Sequence, residues 1–442
     1  MTGQLSPTSV STKLQRIAEL ARRAPCTVLT TLAHHIDIDF LREAYCRTRK
    51  DGAPGVDGQR AEAYAADLEK NLQSLLDRFK AGTYRAPPVR RVHIPKGDGT
   101  LRPLGIPTFE DKILQRAVTM VLEAVYEQDF LPCSFGFRPG RSAHQALETL
   151  RNGLMEMHGG IVVELDIRRF YDTLEHHRLR QFLDQRVRDG VIRCAIDKWL
   201  KAGVLEDGCI TQPAEGTPQG GVISPLLANI YLHQVLDLWF ERDVKPRTHG
   251  AAILIRYADD AVLAFESEVD ARRMMDVLPK RFGKYGLTLH PEKTRLLPFK
   301  RPHLGAPKSD NDTFDLLGFT HYWTKSSKGF WVIKRKTAKS RFHRALKRVT
   351  EWCKENRHMP VRKQAQALGK KLQGHYGYYG ITGNSQSLAR YYHEVCAVWR
   401  RWLDRRAQHR HMPWTRFHRL LERHPLPGPV CVHSLYRKEA KP

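Results

Sequence analysis

Two adjacent aspartates inside an otherwise apolar stretch restrict what this chain can fold into. They lie in RYADDAVLAF, residues 256–265, between the runs AAILIRY and AVLAF. Both runs are rich in β-forming residues and too short for a typical helix, so they predict a hairpin with Asp259 and Asp260 at its tip. Aspartate is common in turns, and this pair alone fits a solvated turn. A catalytic interpretation therefore needs further carboxylates.

Asp166 is a third candidate, because it follows the apolar run at residues 161–165 in IVVELDIRRF. If that strand and the hairpin are neighbours in one sheet, Asp166 and Asp259 converge, with Asp260 beside them. Clustered carboxylates repel one another unless cations lie between them, and hard oxygen ligands select Mg²⁺ or Mn²⁺. Two such ions about 4 Å apart activate a hydroxyl and stabilise a leaving phosphate. The pattern indicates phosphoryl chemistry.

The amino-acid composition indicates that the protein has a polyanionic partner. The 442 residues, enough for about three domains, carry 73 Lys and Arg against 47 Asp and Glu. A net charge of +26 favours a polyanionic partner over a membrane-surface role. No apolar stretch approaches the ~18 residues of a membrane span, and the N-terminus lacks a signal-peptide core. Eight cysteines without a CxxC pair predict neither a zinc ribbon nor a redox pair, and we expect a reduced, cytoplasmic protein.

The basic charge is concentrated in the last quarter of the chain, where residues 331–442 hold 26 Lys and Arg against 6 Asp and Glu. Helical periodicity there predicts an apolar core stripe. The stripe consists of Leu388, Tyr392, Val395, Trp399 and Trp402. We interpret the arginines beside it as a nucleic-acid-binding face; they are Arg400, Arg401, Arg405 and Arg406. A domain boundary is expected near residue 333.

Three glycine-rich or basic segments each allow two interpretations. KDGAPGVDG, residues 50–58, resembles a phosphate cradle but lacks the following GK[ST], so an ordinary loop is favoured. VRRVHIPKGDGTLRPLGIP predicts a hairpin whose Lys96 and Arg102 are either solubilising charges or ligands of a triphosphate. In EGTPQGG the glycines permit close approach to a ligand, or only a turn that opens a core helix. These glycines are Gly216, Gly220 and Gly221.

SFGFRPGRSAHQ places Arg138 and Arg141 before a predicted amphipathic helix. Phosphates of nucleic acids are often held at such positions. Arginines that cap neighbouring loop carbonyls are an equally good interpretation of this segment.

The order of these motifs is more specific than any one of them. GAPGVDG, IPKGDGTLRPLGIPT, SFGFRPGRSAHQAL, EGTPQGGVISPLLANIYL, RYADD and LLGF, in that order, closely resemble the bacterial group II intron reverse transcriptase/maturase family. The resemblance is dense over residues 47–319 and weaker through the basic helical region. It implies an α+β right-hand polymerase with an antiparallel palm sheet. The implied domains are an N-terminal helical extension (1–45), fingers and palm (46–333) and a basic helical thumb/maturase domain (334–442).

The resemblance also implies roles for single residues. Asp166, Asp259 and Asp260 match the catalytic carboxylates, and the Ile167 carbonyl matches a further metal ligand. Lys293 matches a lysine proposed to protonate the departing pyrophosphate.

Four matches concern the incoming nucleotide. Lys96 and Arg102 match residues that hold the triphosphate, and Gln219 matches a residue of the nucleotide pocket. Tyr171 matches the aromatic ring that excludes a 2′-hydroxyl, although the family commonly has phenylalanine there. That exchange keeps the ring and adds a hydroxyl.

The resemblance thus implies an RNA-directed DNA polymerase with two Mg²⁺ ions, for which Mn²⁺ could substitute. Its partners would be an RNA template, a DNA primer, deoxynucleoside triphosphates and a structured intron RNA, without a membrane. The paired cysteines of the family's nuclease domain are not found, so second-strand cleavage is not expected. Three alternatives stay open: a domesticated enzyme of antiviral defence, an RNA-binding splicing cofactor with an idle polymerase site, and an RNA-dependent RNA polymerase.

Overall fold

The computed structural model of the chain is mixed α+β. It describes residues 7–25, 27–95, 99–206, 208–211, 215–217, 219–302, 313–406 and 412–434. Helices in these ranges fall short of the length and apolar character needed to cross a membrane.

The chain divides into two compact units. The first comprises residues 1–150 and 161–296, and the second comprises residues 151–160 and 297–442. The sequence placed a boundary near residue 333 and an extension at residues 1–45. The two compact units divide after Leu296 and within a helix at Leu150, and Ile17 and Phe40 belong to the first unit's core. The domain boundaries expected from the sequence stay predictions.

The helices of the first unit account for most of its core. They are α1 (Pro7–Arg23), α2 (Ile38–Arg47), α3 (Ala61–Ala65), α4 (Leu68–Lys80), α5 (Phe109–Tyr126), α6 (Ala143–Glu156, which ends in the second unit), α7 (His176–Asp184), α8 (Gly190–Leu200), α9 (Ser224–Leu232) and α10 (Glu268–Gly283). Helix α5 begins at Thr108, whose side chain accepts a hydrogen bond from the Asp111 amide. It is buried almost all round, as expected of a central core helix.

Two sheets carry the predicted hairpins. The first has the order β2-β1-β4-β5. It consists of β1 (Val89–Pro95), β2 (Leu101–Ile106), β4 (Val204–Glu206) and β5 (Cys209–Thr211). In the second sheet, β7 (Asp260–Phe265) lies between β3 (Gly159–Leu165) and β6 (Ala252–Tyr257). Both neighbours of β7 are antiparallel to it. The predicted hairpins and the predicted buried strand are therefore confirmed.

The glycine-rich loop at residues 50–58 packs against the start of α5. A Cβ atom on Gly55 would lie 2.6 Å from the Thr108 backbone. The Pro54 carbonyl accepts hydrogen bonds from Arg90 at 2.9 and 3.1 Å, and the Ala53 carbonyl accepts one from Lys112 at 2.8 Å. The loop is bound to the protein itself, which supports the ordinary-loop interpretation.

The second unit combines a sheet with a helical bundle. Strand β8 (Arg295–Lys300) leads into it, and its own elements are β9 (Phe314–Leu316), β10 (Phe319–Lys325), β11 (Trp331–Thr337), α11 (Lys339–Glu355), α12 (Val361–Tyr379), α13 (Ser385–Asp404) and α14 (Trp414–Arg423). The LGF motif, expected in a strand, is a tight turn between β9 and β10, because Leu317 and Gly318 both have left-handed φ values of 50° and 82°. The predicted apolar stripe is core: Trp399 is fully buried and Tyr392 packs against the cluster.

A buried acid in α5 makes the stability of the fold depend on pH. The Asp111 carboxyl accepts a hydrogen bond from the Trp199 indole at 3.1 Å. Burial raises the pKa of Asp111 from 3.8 to about 7. An acid whose pKa rises on folding binds its proton more tightly in the folded state, so stability falls as pH rises between those two values.

We predict that Asp111→Asn flattens this dependence, because the amide keeps an acceptor for Trp199 and carries no proton to lose. Between about pH 5 and about pH 7.5 the Tm of the wild type should fall relative to that of the variant. Thermal unfolding at both pH values measures it, with the exposed Asp276→Asn as the control. Parallel curves for wild type and Asp111→Asn would contradict the prediction.

Candidate active site

The hairpin tip is a two-residue turn with an unusual conformation. Tyr257 pairs with Asp260, which leaves Ala258 and Asp259 as the turn. Ala258 has a φ of 58°, the left-handed value that a type II′ turn needs at its first central position, where glycine is usual. A non-glycine residue there is unfavourable, so surrounding contacts must hold the turn.

Asp166 and Asp259 lie at the same end of the sheet. Strand β3 pairs with β7 up to Leu165 and Ala261, and Asp166 is the next residue. Burial raises the pKa of Asp259, the charge of Asp166 raises it further, and the nearby guanidinium of Arg102 lowers it. The two carboxylates are therefore close enough to repel each other.

Asp166 already has a cationic neighbour. The Lys293 ammonium lies 3.0 Å from its Oδ2 atom. The segment that carries Lys293 runs beside Asp166, because the His290 amide donates a hydrogen bond to the Asp166 carbonyl at 2.8 Å. Next to it, Leu289 and Ile167 form an isolated antiparallel β-bridge. No hydrogen bond from the described residues reaches the Ile167 carbonyl, although the Ile167 side chain is buried. That oxygen is available as a ligand.

The side chains differ from the expected cluster of three carboxylates. Across the part of the chain that the structure describes, no group of three His, Cys, Asp or Glu side chains is close enough to hold a metal ion. Asp260, the first residue of β7, is exposed, whereas Asp259 in the turn is half-buried. The site offers two carboxylates and the Ile167 carbonyl. Such oxygens suit a hard cation like Mg²⁺, which keeps several of its waters.

A cavity of about 300 Å³ lies at Tyr171, a residue close enough to Asp259 to feel its charge. Tyr171 and Gln219 line it, and the Gln219 Oε1 atom is buried without a hydrogen-bond partner among the described residues. Burial, and then the charge of Asp259, raise the pKa of Tyr171 to about 12, so its hydroxyl stays neutral. Arg102 is exposed on β2, and its charge lowers the pKa of Tyr171. Lys96 lies outside the described residues.

Gly216 and Gly220 of EGTPQGG lie close to the protein's own backbone, which favours the interpretation of this segment as a turn. A Cβ atom on Gly216 would lie 2.8 Å from the Tyr171 carbonyl, and one on Gly220 would lie 2.6 Å from the Gly105 carbonyl. The Thr217 amide donates to the Tyr171 carbonyl at 2.7 Å. This loop therefore holds the backbone of Tyr171 in place.

Known proteins share this arrangement of motifs. Residues 94–321 match the family model described as reverse transcriptase (RNA-dependent DNA polymerase), which is half of the chain. The chain is 37% identical to Protein YkfC of Escherichia coli over 298 residues, which is 60% of this chain and 74% of that protein.

The chain belongs to the group II intron reverse transcriptase/maturase family. It is also 37% identical to the group II intron-encoded protein LtrA of Lactococcus lactis over 226 residues, 48% of this chain but only 37% of LtrA. Nuclear intron maturase 2 of Arabidopsis thaliana is 29% identical over 175 residues, 31% of this chain and 24% of that protein. RNA-directed DNA synthesis is the activity that this membership assigns to the chain.

Arg138 of this reverse transcriptase is structural, which corrects its assignment to a nucleic-acid face. Its side chain is 3% exposed and pairs with Glu127 at 2.9 Å. It also donates hydrogen bonds to the Leu131 and Ser134 carbonyls, each at 2.8 Å. All these contacts hold the loop before α6, and the alternative of loop capping is the correct one. Arg141 is exposed, with its guanidinium 5.6 Å from a phenylalanine ring.

The four C-terminal arginines divide between internal contacts and solvent. Arg400 donates to a backbone carbonyl at 2.7 Å, and Arg406 donates to two carbonyls in the segment 357–359. Arg405 lies 4.9 Å from an indole ring. Arg401, Arg405 and Arg406 are exposed to solvent, whereas Arg400 is partly buried.

The residue that sequence reasoning missed is Arg256, which is wholly buried. It donates to both carboxylate oxygens of Asp237, at 2.8 and 2.5 Å, and to the Asn229 side chain at 2.8 Å. It also donates to the Ala258 carbonyl at 3.0 Å, inside the turn that carries Asp259. Burial alone would raise the pKa of Asp237, but the charge of Arg256 lowers it. An arginine within an otherwise apolar strand was the available signal.

We predict that Asp237→Asn lowers the free energy of unfolding by about 3 kcal/mol, because it leaves a buried guanidinium without a counter-charge. The matched control is Glu268→Gln, which breaks the exposed pair with Arg272 and should change stability by about 0.5 kcal/mol or less. Chemical denaturation measures both. Equal effects of the two substitutions would show that the buried pair does not hold the turn.

Proposed function

We propose that this chain is a right-hand polymerase that extends a primer 3′-hydroxyl along an RNA template with deoxynucleotides, using two divalent ions. The sheets of the first unit would be fingers (β1, β2) and palm (β3, β6, β7), and the helices of the second unit the thumb. The observation that carries the proposal is the approach of Asp166 and Asp259, whose mutual repulsion a cation would relieve. The nucleotide-sized cavity at Tyr171 supports it.

Each residue of the site has a proposed role. Asp166, Asp259 and the Ile167 carbonyl would hold the ions, Mg²⁺ or Mn²⁺. Such ions activate the attacking hydroxyl and stabilise the departing pyrophosphate. Arg102 would bind the triphosphate, together with Lys96.

The sugar and base of the nucleotide would meet Tyr171 and Gln219. The Tyr171 ring would overlap a 2′-hydroxyl and so favour deoxynucleotides. The unpartnered Oε1 atom of Gln219 supports a ligand contact at this position, because buried polar atoms are seldom left unpaired.

Lys293 is proposed to act on the leaving group. Its ammonium contacts Asp166 and is largely exposed, so it can move toward a pyrophosphate oxygen and donate a proton there. In the absence of substrate, its charge balances that of Asp166.

We predict that Asp259→Asn lowers kcat for primer extension by about 10³-fold, the effect of losing several kcal/mol of transition-state stabilisation. Extension of a DNA primer on RNA with deoxynucleotides, and separately with ribonucleotides, is the measurement. The exposed Asp276→Asn is the control and should retain activity. A wild type that binds RNA but makes no product would instead support a splicing cofactor with an idle site.

A second proposed function, binding of structured RNA, is favoured by a basic cleft in the second unit. The cleft has a volume of about 630 Å³. Arg362, Gln366 and Lys370 lie four residues apart on one face of α12, and Arg423 and His424 follow from α14. No acidic side chain lines it among the described residues. Relatives named as intron-encoded protein and intron maturase suggest that the partner is intron RNA.

We predict that reversing three charges, Arg362→Glu, Lys370→Glu and Arg423→Glu, weakens RNA binding at least about tenfold and lowers the salt dependence of log K by about 2. The control reverses three exposed charges on α11, Lys339, Arg348 and Lys354. Equilibrium binding to a folded RNA at several salt concentrations measures both. Equal losses in the two triple variants would indicate a general charge effect and remove the cleft from the proposal.

A further inference from the structure

Phe137 combines two properties that are unfavourable in a folded protein. Its side chain is 57% exposed, although it is large and apolar. Its φ of 55° places a bulky residue in the left-handed region. Glycine would relieve the backbone strain, and a polar residue would suit the exposure. Strained residues of this kind concentrate where a ligand is bound.

The loop that carries Phe137 is fixed to the catalytic hairpin. The Phe135 amide donates to the Arg256 carbonyl at 2.9 Å, and the Asn229 side chain donates to the Gly136 carbonyl at 2.8 Å. A Cβ atom on Gly136 would lie 2.3 Å from the Ala258 nitrogen. The residue before Phe137 is therefore in direct contact with the turn that presents Asp259.

The sheet fixes the side of the site on which this loop lies. Across the sheet the order is the loop at residues 133–135, then β6, β7 and β3. Neighbouring strands are about 4.8 Å apart, so the loop lies about 14 Å from β3. Tyr171, which lines the cavity, follows β3 in the chain. The loop that leads to Phe137 and the strand that leads to Tyr171 thus lie on opposite sides of the hairpin that carries Asp259.

The geometry of in-line displacement relates this separation to the positions of the primer end and the triphosphate. The attacking hydroxyl and the departing pyrophosphate must lie on opposite sides of the phosphorus that is transferred. If the triphosphate binds on the side of Tyr171, the primer end must approach from the side of β6. That side presents Phe137.

We propose that Phe137 packs its ring against the sugar of the primer's 3′-terminal nucleotide and thereby positions the 3′-hydroxyl. This inference rests on the proposed polymerase function. The base of a terminal nucleotide is stacked between its neighbours, whereas its sugar presents an apolar edge to the protein. An exposed aromatic ring suits that edge and accepts any sequence, as a polymerase requires.

The decisive variant is Phe137→Gly, because glycine removes the ring and also relieves the left-handed strain. Its Tm should equal or exceed that of the wild type. Its KM for the primer–template duplex should rise about tenfold, with kcat reduced and the KM for the nucleotide unchanged. Phe137→Tyr should restore both parameters to within about threefold, since it keeps the ring. Phe330→Gly, which removes another exposed ring, is the control and should match the wild type.

Three results would overturn the inference: unchanged extension by Phe137→Gly, an effect confined to the nucleotide KM, or an equal loss of affinity for the RNA template without primer. The wild type in the same assay distinguishes failure of the proposed polymerase function from failure of the proposed role of Phe137. If the wild type makes no product, the proposed function fails. If the wild type and Phe137→Gly extend the primer equally well, only the role of Phe137 fails.

Discussion

The buried ion pair between Arg256 and Asp237 is the interaction on which the geometry of the site depends. Through its side chain, Arg256 binds Asp237, Asn229 and the Ala258 carbonyl, and through its backbone it binds the loop at residues 133–135. One residue thus connects a π-helical segment after α9, strand β6, the turn that carries Asp259 and the neighbouring loop. Neither charge would be stable alone in this interior, so the elements that carry them are held in one arrangement.

Local sequence patterns were sufficient for the elements around the site, because each hairpin and the buried strand have short apolar runs with turn residues between them. The division into units was not predictable, since it depends on which contacts form across long distances in the chain. Helix α6 belongs half to each unit, and no change of composition marks Leu150. Likewise, Leu317 adopts a left-handed turn in a motif that otherwise fits a strand. For Arg138 both interpretations fit the sequence equally well, and only its burial against Glu127 decides between them.

Within the site, the strand-end rule predicts that Asp166 and Asp259 lie at the same end of the sheet, as they do. The exposure of Asp260 depends on the conformation of the turn and could not be predicted from the sequence. The conformations of Phe137, Arg169 and Ala258 could not be foreseen, as left-handed φ values at non-glycine residues arise only when tertiary contacts override local preference. Three of the five such residues found in the described ranges surround the two carboxylates. The polar contacts of Arg256 and Asn229 supply the counteracting stabilisation at Ala258 and Gly136.

The placement of residues 151–160 in the second unit, between two stretches of the first, affects how the protein can be made. During translation these ten residues leave the ribosome well before the rest of their unit, which must wait for synthesis to pass Leu296. Domains usually fold in order from the N-terminus. Here, however, residues 151–160 of the second unit interrupt the sequence of the first unit. Neither unit can be obtained as one uninterrupted gene fragment, so dissection of this enzyme calls for a spliced or circularly rearranged reading frame rather than simple truncation.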